Sequence, residues 1–406
     1  MPHTSNGSVG LRPLRILYPA SLTVGGAERQ MILLAERLPR ERFDVSFIML
    51  GGWTPNADLA VAAGAHVHAL GISGRRSTAK PIFALKVAGR TLEYIWICRR
   101  ERYDIVDAWL YQGYGIAAVT RPFTSVPVLI SGRVSLSKFK EQFGPVERAV
   151  DTIARRTSDL IFANSAAVAD DVALREGMDR ASIRIIRNGV VIPDPMPEDE
   201  RRAIRAGWGV APSDLVLGYV GSMRQGKGHE RLVEALPSLL AYVPDARLVL
   251  VGGGPLRLAI EQRIAALGLG DRVTVTGDVV DARPLYGAFD VFASASEAEG
   301  LPNAVLEAAA AGVAIVATAA GGTVEIVQDG RTGILVPVGD DDGLRTALVQ
   351  VAGDAALRER LGSAARDHAS TTFGIDRFIR ETADLYEEMA RCHGIGGYPR
   401  PVRPNG

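Results

Sequence analysis

Short apolar runs recur along the chain, and most are followed by a stretch whose apolar positions return every three or four residues. The first run is LRILYP at 14–19, with a helical pattern from about Gly26 to Leu38 behind it. Further strand-like runs stand at 43–50, 65–70, 104–109, 127–131, 159–163 and 183–186. The segment RNGVVIPDPMPEDE, with its three prolines, then breaks the pattern. A second series follows at 215–221, 246–252, 272–276, 290–296, 313–318 and 333–337. Strands that alternate with helices predict parallel sheets covered on both faces. The fold class expected is therefore α/β, with two such sheets in succession.

Composition narrows this picture without changing it. A chain of 406 residues is too long for one ordinary core. The apolar share of 47% and charged share of 23% fit a soluble globular protein. Basic and acidic residues balance at 46 each, which gives no electrostatic case for a nucleic-acid partner. Cys98 and Cys392 are the only cysteines, so no disulfide framework is expected and a reducing compartment is. MPHTSNGSVGLRP has no apolar core of the kind a secretory signal needs. The long apolar stretch at 304–322 contains Glu307 and divides into a helix and a strand, so it is not read as a membrane span.

The densest chemistry lies between the run DVFASAS and the end of the second series. Glu299 falls in the loop after that strand, and Glu307 falls about one turn into a helix expected to start at Asn303 as its N-cap. Ligands of open α/β sheets bind at the carboxyl ends of strands. The N–H groups of Gly300, Leu301, Pro302's neighbour Asn303 and Ala304 sit where a helix start holds an anion. Carboxylates do not hold phosphates, so Glu299 and Glu307 are expected to hold hydroxyls, those of a sugar and a ribose.

From Glu299 to Pro337 the chain resembles the family-4 retaining glycosyltransferases, of the glycogen-synthase and mannosyltransferase type. Their run EGxPxxxLEAxAxGxxVVATxxGGxxEIVxDGxxGxLVP is matched at most positions. The resemblance implies the GT-B fold: two Rossmann-like domains facing across a cleft, with a C-terminal helix crossing back to the first. The corresponding boundaries are a disordered 1–12, a first domain at 13–190, a linker at 191–199, a donor domain at 200–374, the returning helix at 375–392 and a disordered tail at 393–406. It also implies transfer of a sugar, with its configuration retained, from a UDP- or GDP-sugar to an acceptor hydroxyl. No cofactor is expected beyond that co-substrate, and no metal. The acceptor is expected to be a carbohydrate or lipid-linked molecule in polysaccharide, glycolipid or glycoconjugate synthesis.

Other motifs take their roles from the same resemblance. In GSMRQGKG, Lys227 is the lysine of the diphosphate, while Ser222 stands where the family usually has Arg, and Arg224 is a candidate to compensate. The segment also approaches a Walker A loop, but Gly228 replaces the Ser or Thr that binds Mg²⁺. TVGGAERQ carries Gly25 and Gly26, the family's phosphate-facing glycine loop. Gly252 in VGGGP and Gly277 in TGDV match loops that border the base, and simple glycine turns explain them equally well. The His that family members often carry on the acceptor side is missing from DIVDAWLYQG, where Asp107 and Trp109 stand instead. Tyr111, Gln112 and Arg133 become the acceptor-side candidates, and Trp109 is expected in the core.

Several features have plainer explanations. His66 and His68 share one strand face but have no further ligands for a metal. Asp340, Asp341 and Asp342 read as an N-cap and first-turn acids. Residues 75–102 combine basic side chains with Ile82, Phe83, Leu85, Ile95 and Trp96. They are expected to form an ordinary domain helix, with a peripheral contact at the inner membrane face of a cytoplasmic enzyme as the alternative. The competing functions are a nucleotide-sugar epimerase on the same fold, a catalytically silent partner subunit, and, more distantly, a P-loop ATPase.

Overall fold

The computed structural model describes residues 12–21, 25–71 and 80–398. Expectations for Thr23 and Val24, for 75–79 and for the termini at 1–11 and 399–406 fall outside them. Among the described residues the chain forms two all-parallel sheets, one of seven strands and one of six.

The first sheet contains Leu14–Ala20 (β1), Phe43–Met49 (β2), His66–Ala69 (β3), Ile105–Trp109 (β4), Val128–Arg133 (β5), Leu160–Ala163 (β6) and Ile183–Ile185 (β7). Its order is β3-β2-β1-β4-β5-β6-β7. The second contains Leu215–Val220 (β8), Ala246–Val251 (β9), Val273–Gly277 (β10), Val291–Ser294 (β11), Ala314–Thr318 (β12) and Ile334–Val336 (β13), in the order β10-β9-β8-β11-β12-β13. Both orders reverse direction once, between β1 and β4 and between β8 and β11. The central strands are apolar on both faces because helices cover both. Leu17, Ile105, Val128, Val216, Leu248 and Phe292 are all fully buried. Each such side chain is worth roughly 1.5–3 kcal/mol relative to exposure.

The chain divides into two compact units. One comprises Met1–Ala163, Val172–Ile186 and Ile379–Gly406, and the other Asn164–Asp171 and Arg187–Phe378. The helix Ile375–His393 begins in the second and ends in the first. Within the first unit its Tyr386 hydroxyl donates to Asp107 Oδ2 at 2.6 Å and lies 2.5 Å from the Tyr18 hydroxyl. Trp109 Nε1 donates to the other oxygen of Asp107 at 2.9 Å. Burial pushes the Asp107 carboxyl up to about 7, against the pull of its two donors.

Two boundaries differ from expectation. The proposed linker at 191–199 is interrupted by the helix Glu198–Gly207, which Pro197 starts by fixing an extended residue ahead of it. The tail is not loose from residue 393. Ile395 N–H donates to Ala390 C=O at 2.9 Å, and the buried Tyr398 reaches Glu387 with its hydroxyl at 3.3 Å. Both cysteines are free, and burial pushes the Cys98 thiol up to about 12.

Candidate active site

In the second unit β8 is flanked by β9 on one side and β11 on the other. Chain leaving β8 and chain leaving β11 turn to opposite sides, which opens a crevice at their carboxyl ends. The loop after β8 carries Lys227 and the loop after β11 carries Glu299. Lys227 Nζ donates to Glu299 Oε1 at 2.6 Å, with 18% and 12% of the two side chains exposed. The backbones are tied as well, since Glu297 N–H donates to Gly226 C=O at 2.8 Å.

Gly228 explains why the loop is not a Walker A. Its φ is +73°, in the left-handed region, and a Cβ there would run into the carbonyl of Ala295. A Ser or Thr does not fit. His229 follows at the start of the helix His229–Leu240 and is buried, with its ring edge-on to Tyr219 at 4.6 Å. Burial lowers its pKa to about 4; a backbone bond to Gly221 opposes this and the charge of Lys227 adds to it. Burial, then the charge of Glu299, raises the pKa of the Tyr219 hydroxyl.

Neighbouring loops are laced to this one. Met223 N–H donates to Gly253 C=O at 2.7 Å, Gly252 N–H to Gly277 C=O at 3.0 Å, and Gly253 N–H to Asp278 Oδ1 at 2.9 Å. Gly254, at φ +147°, packs so that a Cβ would stand 2.6 Å from the Met223 carbonyl. The glycines of VGGGP therefore set how closely the two loops approach. Ser222 and Arg224 are exposed.

The helix Asn303–Ala310 starts differently from expectation. Pro302, extended at φ −71° and ψ 112°, is the N-cap, and Asn303 is the first helical residue. The Asn303 side chain is used elsewhere: its Oδ1 accepts from Asn188 Nδ2 at 2.7 Å, and the same amide lies 3.3 Å from the Leu301 carbonyl. The first-turn N–H groups are left without intrahelical partners, as at every helix start. Glu307 lies half-buried on this helix beside the buried Tyr286. Burial, and then the charge of Glu307, holds the Tyr286 hydroxyl well above its ordinary pKa. Sequence reasoning missed Tyr286, His229 and the Asn188 amide. His229 had one signal, its place directly after Lys227–Gly228.

In the first unit the end of β1 meets the first turn of the helix Leu110–Thr124, which follows β4 directly, with Ser21 Oγ 3.5 Å from Gln112 Oε1. Gly25 precedes the helix Gly26–Arg37 in an extended conformation, and Gly26 is exposed. The Tyr111 hydroxyl donates to the Glu147 carbonyl at 3.2 Å, and its ring rests on Phe143 at 4.5 Å. Trp109 is in the core, as expected. Arg133 is not open to solvent: it is buried, with Nε and Nη2 donating to Glu176 at 3.1 and 3.2 Å. Asp340 caps its helix by accepting from Gly343 N–H at 2.8 Å. Among the described residues no cluster of three or more His, Cys, Asp or Glu is placed to hold a metal ion, and no helix is long and apolar enough to cross a membrane.

This geometry has counterparts in known proteins. Residues 24–192 match the family described as Glycosyltransferase Family 4, and residues 214–354 the family described as Glycosyl transferases group 1. An N-acetyl-alpha-D-glucosaminyl L-malate synthase of Bacillus anthracis is 30% identical over 45% of this chain, which spans about half (48%) of that relative's length. A D-inositol 3-phosphate glycosyltransferase of Streptomyces scabiei is 28% identical over 95% of this chain and 91% of its own. The crystal structure of Anabaena HepE, in complex with UDP and glucose, superposes with a TM-score of 0.80 at 23% identity, covering 92% of this chain and 99% of that one. Neither the epimerase nor the P-loop alternative gains from these matches. The two family matches cover most of the chain, the sheets have the expected topology, and Lys227 meets Glu299 at the switch point: the chain belongs to the family-4 glycosyltransferases of GT-B fold.

Proposed function

We propose that the protein transfers a hexosyl group, with retention of configuration, from a UDP- or GDP-sugar to an acceptor hydroxyl. The observation that carries this is the Lys227–Glu299 pair at the switch point of the second sheet, with Glu299 in the loop that leads into the helix Asn303–Ala310. Lys227 supplies positive charge where the diphosphate leaves, and the helix start supplies N–H donors aimed the same way. Glu299 then accepts from hydroxyls of the donor sugar, and Glu307 from those of the ribose. The motifs mark no side chain as a nucleophile, which favours a front-face reaction. In it the sugar–oxygen bond to the diphosphate breaks, the acceptor oxygen bonds to the anomeric carbon from the same face, and the acceptor proton passes to the departing phosphate oxygen.

The relatives' names support an acceptor that is small and anionic, since one is named for L-malate and another for inositol 3-phosphate. A lipid-linked acceptor is the second reading. It is favoured by the helix Lys80–Glu101, which exposes Leu92 and Trp96 beside Arg99 and Arg100.

Thermal shifts across a panel of nucleotide sugars identify the donor, because a ligand of the native state raises apparent stability. Transfer is then followed by NMR of the product's anomeric proton. Retention of the donor configuration is expected, and an inverted product would overturn the mechanism.

A further inference from the structure

We infer that Arg133 forms the floor of an anion subsite, which takes one carboxylate or phosphate oxygen of the acceptor. The inference rests on the glycosyl-transfer reading for the word acceptor, but the site stands on its own geometry. Arg133 closes β5 at the carboxyl edge of the first sheet, the edge where α/β folds bind ligands. It is 4% exposed, and its guanidinium lies 4.1 Å from the centre of the Tyr114 ring. Nε and Nη2 are spent on Glu176. Nη1 is buried and has no hydrogen-bond partner among the described residues. A guanidinium donor left unmade in the interior is the kind of exception that a ligand or water explains.

Arg133 lines a cavity of about 20 Å³. That is enough for one water-sized group, so it admits a single oxygen atom. The lining holds two cations, Arg133 and Lys140, and no carboxylate. The acids Glu176 and Asp151 stand behind it and are already engaged by Lys140, at 2.6 and 2.8 Å. A hydroxyl placed there finds a cationic donor, and for its own proton only neutral oxygens of the lining. An anionic oxygen needs only donors, and its bond to Arg133 is charge-assisted. A second observation points to the same place. Leu110, which also lines the cavity, has φ +61°, a left-handed conformation unusual for a leucine. Such backbone collects at ligand sites, where the surrounding structure holds it.

The test uses the full chain and reads the side-chain ¹H–¹⁵N signals of Arg133, which burial protects from exchange. Sodium acetate, inorganic phosphate and glycerol are titrated in turn. Saturable shifts with acetate or phosphate and none with glycerol are expected, and the two anions rank carboxylate against phosphate. Signals unmoved by both anions, or moved equally by glycerol, would overturn the subsite. A paired variant, Arg133→Met with Glu176→Gln, removes both charges together, so that neither is left buried alone. It should lose the anion response and any preference for anionic over neutral acceptors, while its affinity for the nucleoside diphosphate is unchanged. The wild-type titration decides the matter even if that variant does not fold. If no nucleotide sugar supports transfer and the Arg133 response persists, the function reading falls and the anion subsite remains.

Discussion

The two units handle charge in opposite ways. In the second, Lys227 and Glu299 meet across two loops, partly open to solvent, each the other's ion-pair partner. In the first, Arg133, Glu176, Lys140 and Asp151 form a chain of ion pairs, and Asp107 is buried among Tyr386, Trp109 and, through Tyr386, Tyr18. A loop-borne pair exchanges partners with a ligand at small cost. A buried cluster does not, because separating its members leaves a charge without water. The same residue types thus form an exchangeable pair in one unit and, in the other, a fixed cluster that leaves only Arg133 Nη1 to a ligand.

The sharpest way to break this contrast is Lys227→Ala. If the lysine stabilises the leaving diphosphate, turnover should fall by about 10²–10³, as when one such donor is removed elsewhere. Affinity for the free nucleoside should change little. Initial rates and calorimetric titration together check both, and near-normal turnover would strip Lys227 of its role.

The two glutamates separate next. Glu307→Ala should weaken the sugar nucleotide and the nucleoside diphosphate alike, by about 1.5–3 kcal/mol for lost charged hydrogen bonds. Glu299→Ala should erase the preference for the sugar nucleotide. Calorimetry with both ligands exposes a reversed assignment.

In the first unit the expected loss is stability rather than rate. Tyr386→Phe removes a donor from the buried Asp107 and should cost about 1–3 kcal/mol in urea unfolding. Unchanged stability would mean that Asp107 does not depend on that bond.

The effect that is smallest in the wild type comes from two groups whose pH dependences oppose each other. Asp107 keeps a proton in the folded state up to about pH 7, whereas its ordinary pKa is 3.8. Its contribution is full below pH 3.8 and is lost as pH rises toward 7. His229 stays neutral down to about pH 4 against an ordinary 6.5, so its contribution is full above 6.5 and is lost as pH falls toward 4. Between about pH 4 and 6.5 the two slopes oppose each other, each near 1.4 kcal/mol per pH unit at most. Asp107→Asn should leave stability rising with pH across that window, and His229→Gln should leave it falling. Chemical denaturation at several pH values reads both, and parallel curves would refute the pairing.

The fold was legible because strands buried on both faces appear as apolar runs, and β1 to β13 all lie where such runs stand. Lys227 and Glu299 were legible because each follows a recognisable strand within a motif. What stayed hidden depends on partners distant in sequence. Asn303 looked like a cap until Asn188 took its side chain, and no local pattern told that the acceptor-side candidate Arg133 is buried against Glu176. No local pattern encodes that Tyr286 lies beside Glu307, or that Tyr398 folds back on Glu387.

The helix that carries Tyr386 also bears on how the protein is made. A ribosome delivers the strands of the first sheet before any of the second, yet Asp107 gains its tyrosine donor only from residue 386. The polypeptide from Arg187 to Phe378 has nearly everything it needs to fold as it emerges. The unit synthesised first is thus completed last, and until then it holds a buried acid without one of its partners. Nascent chains stopped short of Tyr386 would be the ones that need chaperoning.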